Sequence, residues 1–317
     1  MPSFDVTVDL DSISASTTDK VITIIQLIYG IPSFLLMILF FFFFSCSKNY
    51  SNSFYRLVQL DLLTNILCYF NTWFGARLEK HISGVMLLKS IESMAPGLLS
   101  WSRTFMNMFL HLQFCSSVAL NIHRITSVVF FNSYDKFWSH FYPIYYLLSV
   151  IYSILLVWPN KMAVEVRLIN DTLMGVYNWE VIGGLVYWNA IMSFVYFVLI
   201  LVIGLITAFL VSRRVRNMSS DDHGISKKLT RIALTYCSLY TGILLWTVAT
   251  AIDTYFPFLP KVITDVELEL MVFSSDMMTL ALPYILLMFD TNIRRLLLFF
   301  QKELTGTNHI FVSTSSR

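Results

Sequence analysis

The chain is organised as long apolar stretches separated by short polar segments. Seven of these stretches have about twenty residues, the length that a helix needs to cross a hydrocarbon core of roughly 30 Å. They cover residues 21–45, 55–76, 97–122, 141–158, 185–212, 232–252 and 268–289. Because a bilayer offers the backbone no hydrogen-bond partner, each stretch is expected to be a helix. The pattern predicts an all-α membrane protein, a seven-transmembrane-helix bundle with one membrane domain over residues 21–289.

Composition supports a protein that lives in lipid. Hydrophobic residues make up 56% of the chain, charged residues only 13%, and there are 27 phenylalanines. The chain has no His-Glu-x-x-His, Gly-x-Ser-x-Gly or Gly-Lys-Ser/Thr motif and no cluster of cysteine and histidine ligands. We therefore expect no enzymatic activity, no metal, no cofactor and no nucleic-acid partner. Its four cysteines lie in or beside predicted helices, so no outer-loop disulfide is expected.

The distribution of basic residues predicts the orientation. Of the 22 lysines and arginines, fourteen fall on the side of the C-terminus and eight on the other side. The positive-inside rule then makes residues 1–20 an extracellular tail and residues 290–317 a cytoplasmic tail. The first basic residue is Lys20, so the tail lacks the n-region of a cleavable signal peptide. Asn170, in the sequon Asn-Asp-Thr of a predicted outer loop, is a glycosylation candidate.

Two carboxylates interrupt the apolar stretches. Asp61 lies in the second predicted helix and Asp276 in the seventh, and each costs roughly 2.5 to 3.5 kcal/mol to insert. Asn65 follows Asp61 at a spacing of four, on the same face of the helix. We interpret Asp61, Asn65 and Asp276 as a polar network inside the bundle that biases two conformations. The alternative is polar contact that only holds helices together.

The third predicted helix carries the most polar stripe. Arg103, Asn107 and His111 recur at a spacing of four and are candidates for contacting a ligand in the outer half of the bundle. A snorkelling arginine and a hydrogen-bonded histidine are the alternatives. Arg124 ends this helix on the inner side, where it can act as a conformational switch. It can equally be a positive-inside anchor.

Three segments resemble G-protein-coupled receptors and, more narrowly, the nematode serpentine receptors of class gamma. They are Leu57-Val58-Gln59-Leu60-Asp61, Asn121-Ile122-His123-Arg124 and the run from Ser275-Asp276 through Leu282-Pro283-Tyr284.

The resemblance implies a chemosensory receptor of the plasma membrane, in the cilia of sensory neurons. Such a receptor binds a small-molecule odorant or pheromone outside and signals to a heterotrimeric G protein inside. By the same resemblance, Arg124, Pro283 and Tyr284 serve the switch and the coupling. The chain departs from rhodopsin-like receptors in two places, because His123 replaces an acid and Tyr284 follows the proline directly.

The end of the chain predicts contact with membrane lipids. Apolar residues share one side of a helix after the seventh span, with basic residues opposite, as in a short interfacial helix. A polytopic transporter or ligand-gated channel is the alternative function, since it would also keep Asp61, Asp276 and His111 inside a bundle. Repeated halves, which many transporters show, are not visible in the sequence.

Overall fold

The structure is a computed structural model that describes residues 5–11, 17–47, 50–130, 133–161, 163–215, 222–264, 267–289 and 294. Its elements in chain order are β1 (Asp5–Asp9), α1 (Thr17–Cys46), α2 (Ser53–Thr72), α3 (Ile82–Met94), α4 (Leu98–Val129), α5 (Tyr134–Val157), β2 (Val164–Ile169), β3 (Thr172–Asn178), α6 (Trp179–Val215), α7 (Asp222–Tyr255), α8 (Lys261–Thr264) and α9 (Glu267–Phe289). In these ranges seven helices have 20 or more residues, namely α1, α2, α4, α5, α6, α7 and α9, and each overlaps one predicted span.

Four of these helices are long and apolar enough to cross a membrane by composition alone. They contain residues 19–46, 134–157, 179–207 and 269–289. A fifth span results if α3 and α4, which are bent by 106° at a short break, are taken together. The helices α2, α4 and α7 are more polar, and the full count of seven spans stays a prediction. Large apolar side chains such as Ile28 and Phe209 are exposed on α1 and α6, as expected of surfaces that face lipid.

The bundle is organised around α4. This helix contacts α2, α5, α6 and α7, while α9 packs against α1, α2 and α7. The largest core cluster includes the fully buried side chains Phe40, Phe44 and Phe114. A Cβ atom at Gly30 would lie 1.9 Å from the Tyr69 hydroxyl oxygen, so this glycine allows α1 to approach α2 closely.

A small antiparallel sheet covers one end of the bundle, and the sequence pattern did not predict it. Its strand order is β1-β3-β2, so the N-terminal strand pairs with the loop between α5 and α6. Asn170 and Asp171 form the turn between β2 and β3 with φ values of 51° and 61°. Two consecutive positive φ values are typical of a type I′ hairpin turn. We call the end of the bundle with the sheet the outer end, and the opposite end the inner end, after the predicted orientation.

The link between α2 and α4 differs from the predicted polar loop. A π-helical turn at Trp73–Arg77 and a 3-10 turn at Leu78–Lys80 continue α2, and α3 then runs across the outer end. The extra residue of the π-turn rotates the following side chains relative to α2. As a result Arg77, which follows the second predicted span (residues 55–76) and was expected in an outer loop, lies buried inside the bundle. The predicted interfacial helix falls in residues 290–317, of which the structure describes residue 294 alone.

Candidate functional site

At the outer end, a buried ion pair joins α2 to α9. The Arg77 guanidinium pairs with Asp276, and both side chains are less than 5% exposed, at 4% and 3%. The Tyr29 hydroxyl on α1 donates a hydrogen bond of 2.5 Å to the other oxygen of the same carboxylate. We call Tyr29, Arg77 and Asp276 the outer triad. It connects three helices through one carboxylate.

The rest of the Arg77 side chain lies among aromatic rings. Its guanidinium carbon is 5.0 Å from the ring centroids of both Tyr69 and Trp73. Within the described ranges, Nε and Nη1 of Arg77 have no hydrogen-bond acceptor, and a narrow cavity roughly the size of one water molecule adjoins the side chain. A buried arginine held by one carboxylate and two aromatic rings is costly to leave unpaired.

Sequence reasoning missed Arg77, although a signal was present. Tyr69, Trp73 and Arg77 recur at a spacing of four, the separation at which an aromatic ring and a cation meet on one helix face. Hydropathy alone assigned Arg77 to a loop because the run after Ala76 is polar. Arg77 is the partner of Asp276. Because of this pair, Asp276 lies in the outer triad and not with Asp61, where the sequence analysis expected it.

A second polar layer lies deeper in the bundle. Asn65 donates from Nδ2 to Asp61 Oδ2 at 3.2 Å, as their spacing on α2 predicts. Gln113 on α4 donates from Nε2 to Asn65 Oδ1 at 2.8 Å and to Thr279 Oγ1 on α9 at 3.0 Å. We call Asp61, Asn65, Gln113 and Thr279 the middle network. It connects α2, α4 and α9, and Gln113 is its central member, which the sequence reasoning did not single out.

The three predicted ligand contacts of α4 point toward α6 and the sheet. Arg103 pairs with Glu79 and donates to the Tyr177 hydroxyl at 3.2 Å. Asn107 Oδ1 accepts a hydrogen bond of 3.0 Å from Asn189, and His111 Nδ1 lies 3.1 Å from the Tyr196 hydroxyl. These side chains lie on one face of the helix, as the spacing predicts. Each is already bonded to protein, so their role in ligand binding stays a prediction.

Glu79 owes its position to the helical link after α2. Burial raises the pKa of its carboxyl above the ordinary value of 4.5, while the Arg103 and Lys80 charges act in the opposite direction. The pair with Arg103 therefore forms at a cost in desolvation.

An open groove lies between α6 and α7 near the outer end, and most of the side chains that line it are exposed. Its volume is about 660 Å³, within the range of small-molecule sites. Its lining is almost wholly apolar and comprises Tyr187, Ala190, Ile191, Phe194, Val195, Val248, Ala251, Ile252 and Phe256. The three predicted ligand contacts are not part of this lining. Composition of the two helices gave no signal for it, because lipid-facing and groove-facing apolar residues look alike in a sequence.

The inner end is closed by a cluster that we call the inner clasp, made of Ser53, His123 and Asp135. The Ser53 hydroxyl donates to Asp135 Oδ1 at 2.6 Å, and the Ser53 backbone N–H donates to the same oxygen at 2.9 Å. His123 Nε2 lies 3.0 Å from the Ser53 hydroxyl oxygen. Since the single Ser53 proton goes to Asp135, the His123 Nε2–H is the donor in this bond. The clasp joins the beginnings of α2 and α5 to the last turns of α4.

The predicted switch residues lie on two helices, Arg124 on α4 and Pro283 and Tyr284 on α9. Arg124 is buried beside the clasp, with its guanidinium carbon 5.9 Å from the Phe54 ring centroid. Pro283 is buried within α9, and the Tyr284 hydroxyl lies 2.8 Å from the Ser33 hydroxyl on α1. Tyr284 thus connects α9 to α1. Asn170 is exposed at the hairpin turn of the sheet, a position open to modification.

Long apolar helices around layers of buried polar side chains define a multi-pass helical membrane protein. Comparison with known proteins identifies the family of membrane proteins to which it belongs. The family model for Srg family chemoreceptors matches residues 23–297. The chain is 37% identical to serpentine receptor class gamma-47 of Caenorhabditis elegans over 278 residues, covering 87% of this chain and 89% of the relative. It is 30% identical to serpentine receptor class gamma-53 of the same nematode, covering 86% and 90%.

The chain belongs to the Srg family of chemoreceptors. The resemblance inferred from the segments around Asp61, Arg124 and Asp276 is thereby confirmed. Family membership also fits a receptor without enzymatic activity.

Proposed function

We propose that this chain is a seven-transmembrane G-protein-coupled chemosensory receptor. It binds a small-molecule odorant or pheromone on the extracellular side and signals to a heterotrimeric G protein in the cytoplasm. Its place is the plasma membrane of sensory neuron cilia, with the N-terminus outside. Family membership supports the sensory role, and the excess of basic residues on the inner side supports the orientation.

One observation carries the mechanism: hydrogen-bonded polar side chains, most of them buried, lie in three layers from the outer end to the inner end. The outer triad joins α1, α2 and α9, the middle network joins α2, α4 and α9, and the inner clasp joins α2, α4 and α5. Every layer includes α2. A ligand that shifts α2 relative to α9 beneath the outer triad changes the hydrogen bonds of the deeper layers. Such discrete rearrangements are how packed helices transmit a signal.

In the inactive receptor the inner clasp keeps the ends of α2, α4 and α5 together. Arg124 is buried beside it and becomes available to the G protein when the clasp opens. The clasp thereby restrains Arg124 in the inactive state, and its member His123 stands where rhodopsin-like receptors usually have an acid. The coupling is then a population shift between clasped and open states.

Nucleotide exchange on a Gα subunit tests the proposal directly. The receptor is reconstituted in lipid nanodiscs with a purified G-protein trimer, and uptake of a non-hydrolysable GTP analogue is followed across a panel of odorants and secreted nematode metabolites. We expect an active compound to accelerate uptake. Arg124→Ala abolishes the acceleration while surface expression in cells is retained. Arg56→Ala, which removes another arginine of the inner side, is the matched control and leaves the acceleration in place.

A channel or transporter gives a different result. Compound-evoked currents in liposomes that hold the receptor and no G protein would contradict the proposal. Orientation has its own test, since an epitope tag before residue 1 is expected to be accessible on intact cells and one after residue 317 is not.

A further inference from the structure

Helix α3 crosses the outer end of the bundle almost at a right angle to α4. The axes of the two helices are bent by 106° at Ala95-Pro96-Gly97. Gly97 has a φ of 84°, a conformation that glycine adopts without strain, which permits this sharp turn. If α4 spans the bilayer, then α3 lies close to the membrane plane. With thirteen residues it is roughly 20 Å long.

The inward side of α3 fixes how the helix is rotated. Val85 and Leu88 are buried in an apolar cluster with residues of the sheet, including Val166 and Leu173. Glu92 accepts a hydrogen bond of 2.6 Å from the Gly97 N–H and so holds the bend. Lys89 at the edge of this side forms an ion pair with Asp11. These contacts set the rotation of α3 about its axis, so they also determine which residues form its outward side.

The outward side of α3 is apolar and carries no charge. Ile82, Met86, Leu87 and Met94 are between 48% and 78% exposed. The other residues of this side are Ser83, Ser90 and Ser93. Four large apolar side chains left in water are unfavourable relative to burial, and contiguous patches of this kind mark interaction surfaces.

We propose that this side of α3 inserts into the outer leaflet of the bilayer, at the boundary between head groups and acyl chains. Both ends of α3 are tied to long helices of the bundle, which hold it at the level of the membrane surface. The apolar surface also continues past each end, since Phe70 on α2 and Leu98 on α4 are about half exposed. An uncharged apolar face with a lysine at its edge is typical of a helix that lies in the interface.

The insertion gives α3 a structural role. Because α3 packs through Val85 and Leu88 on the sheet, lipid on its outward side anchors the sheet to the membrane surface. The outer end then keeps its position while deeper helices move. The proposal concerns lipid alone and is independent of any ligand or G protein.

Spin-label accessibility tests the insertion. Met86→Cys, Leu87→Cys and Met94→Cys are each made in a variant without the four native cysteines, labelled with a nitroxide and reconstituted in phosphatidylcholine nanodiscs. Molecular oxygen concentrates in the bilayer, whereas a nickel chelate stays in water. Asp171→Cys in the hairpin turn is the water-exposed reference, and Phe42→Cys on the exposed side of α1 is the lipid-exposed reference.

We expect the ratio of oxygen to nickel accessibility at the three α3 positions to be several-fold above that at Asp171 and below that at Phe42. A ratio equal to that at Asp171 would overturn the proposal, because the face would then be in water. Low accessibility to both reagents would overturn it as well, since a second copy or another protein would then cover the face. Three positions are used so that one badly tolerated label does not decide the result.

Discussion

The two ends of the bundle are held together by different chemistry. At the outer end, the described residues include four ion pairs between separate segments: Arg77–Asp276, Lys80–Glu269, Lys89–Asp11 and Arg103–Glu79. At the inner end, the described contacts of the clasp are hydrogen bonds through Ser53, and its carboxylate is exposed to solvent. The outer end therefore depends above all on the buried Arg77–Asp276 pair, while the inner end is closed by hydrogen bonds that water can replace.

The difference in free energy is large. Breaking a buried ion pair by removing one partner costs about 3 to 5 kcal/mol, because a charge is left buried. A typical hydrogen bond contributes only about 0.5 to 1.5 kcal/mol net. A receptor built this way keeps a stable outer end and opens at the inner end. The predictions that follow test this contrast, from the strongest expected effect to the weakest.

Loss of the outer triad should be the most damaging change. Arg77→Met leaves Asp276 buried without its cation, and we expect the free energy of unfolding to fall by about 3 to 5 kcal/mol. The apparent Tm in detergent should fall by roughly 5 to 15 °C. Fluorescence-detected thermal unfolding of the purified receptor measures this change in Tm.

The double variant Arg77→Met with Asp276→Leu provides the control. Since both charges are gone, most of the lost stability should return, as in other proteins where a buried pair was replaced by apolar residues. If Arg77→Met alone leaves the Tm unchanged, the pair does not hold the outer end and the contrast between the two ends is wrong.

The middle network should respond less strongly. Gln113→Met keeps the volume of the side chain but leaves Asn65 Oδ1 and Thr279 without their shared donor. We expect a loss of about 1 to 3 kcal/mol, the cost of leaving buried polar groups unsatisfied. Gln59→Met on α2, where the described bond is to its neighbour Arg56, is the matched control and should cost less. An equal loss in both variants would show that the hydrogen bonds of Gln113 in the network add no more stability than those of Gln59 outside it.

The inner clasp should give a small loss of stability and a gain of signalling. Ser53→Ala removes the hydroxyl that joins His123 to Asp135, and the exposed Asp135 is then hydrated, so we expect about 1 kcal/mol. Basal nucleotide exchange on the Gα partner should rise without added compound, because the open state becomes more populated. Ser139→Ala, whose described hydrogen bonds lie within α5, should leave basal exchange unchanged. Reduced basal exchange in Ser53→Ala would assign the clasp to the active state.

Hydropathy placed the long helices because the apolar runs are long. The spacing of four between Asp61 and Asn65 placed these two residues on one face of α2. Hydropathy could not place Arg77, since a π-turn extends α2 into a polar run that reads as a loop. The sheet was missed because its strands have only five to seven residues and because β1 pairs with a strand that is distant in sequence. Gln113 has a role only through partners on α2 and α9, and one sequence does not reveal such pairings.

The weakest expected effect concerns pH at the outer end. Burial raises the pKa of Glu79, so between 4.5 and that higher value the folded receptor binds more protons than the unfolded chain. Linkage then makes the wild type lose stability as the pH rises through this window, and Glu79→Gln lacks this loss. We expect the difference in Tm, variant minus wild type, to increase from pH 4.5 to 7.5. The corresponding change in the free energy of unfolding should be no more than about 1 kcal/mol. Thermal unfolding at both pH values measures it. If the difference instead decreases with pH, the Arg103 charge outweighs the effect of burial on the pKa of Glu79. The ion pair would then stabilise the outer end by more than its desolvation costs.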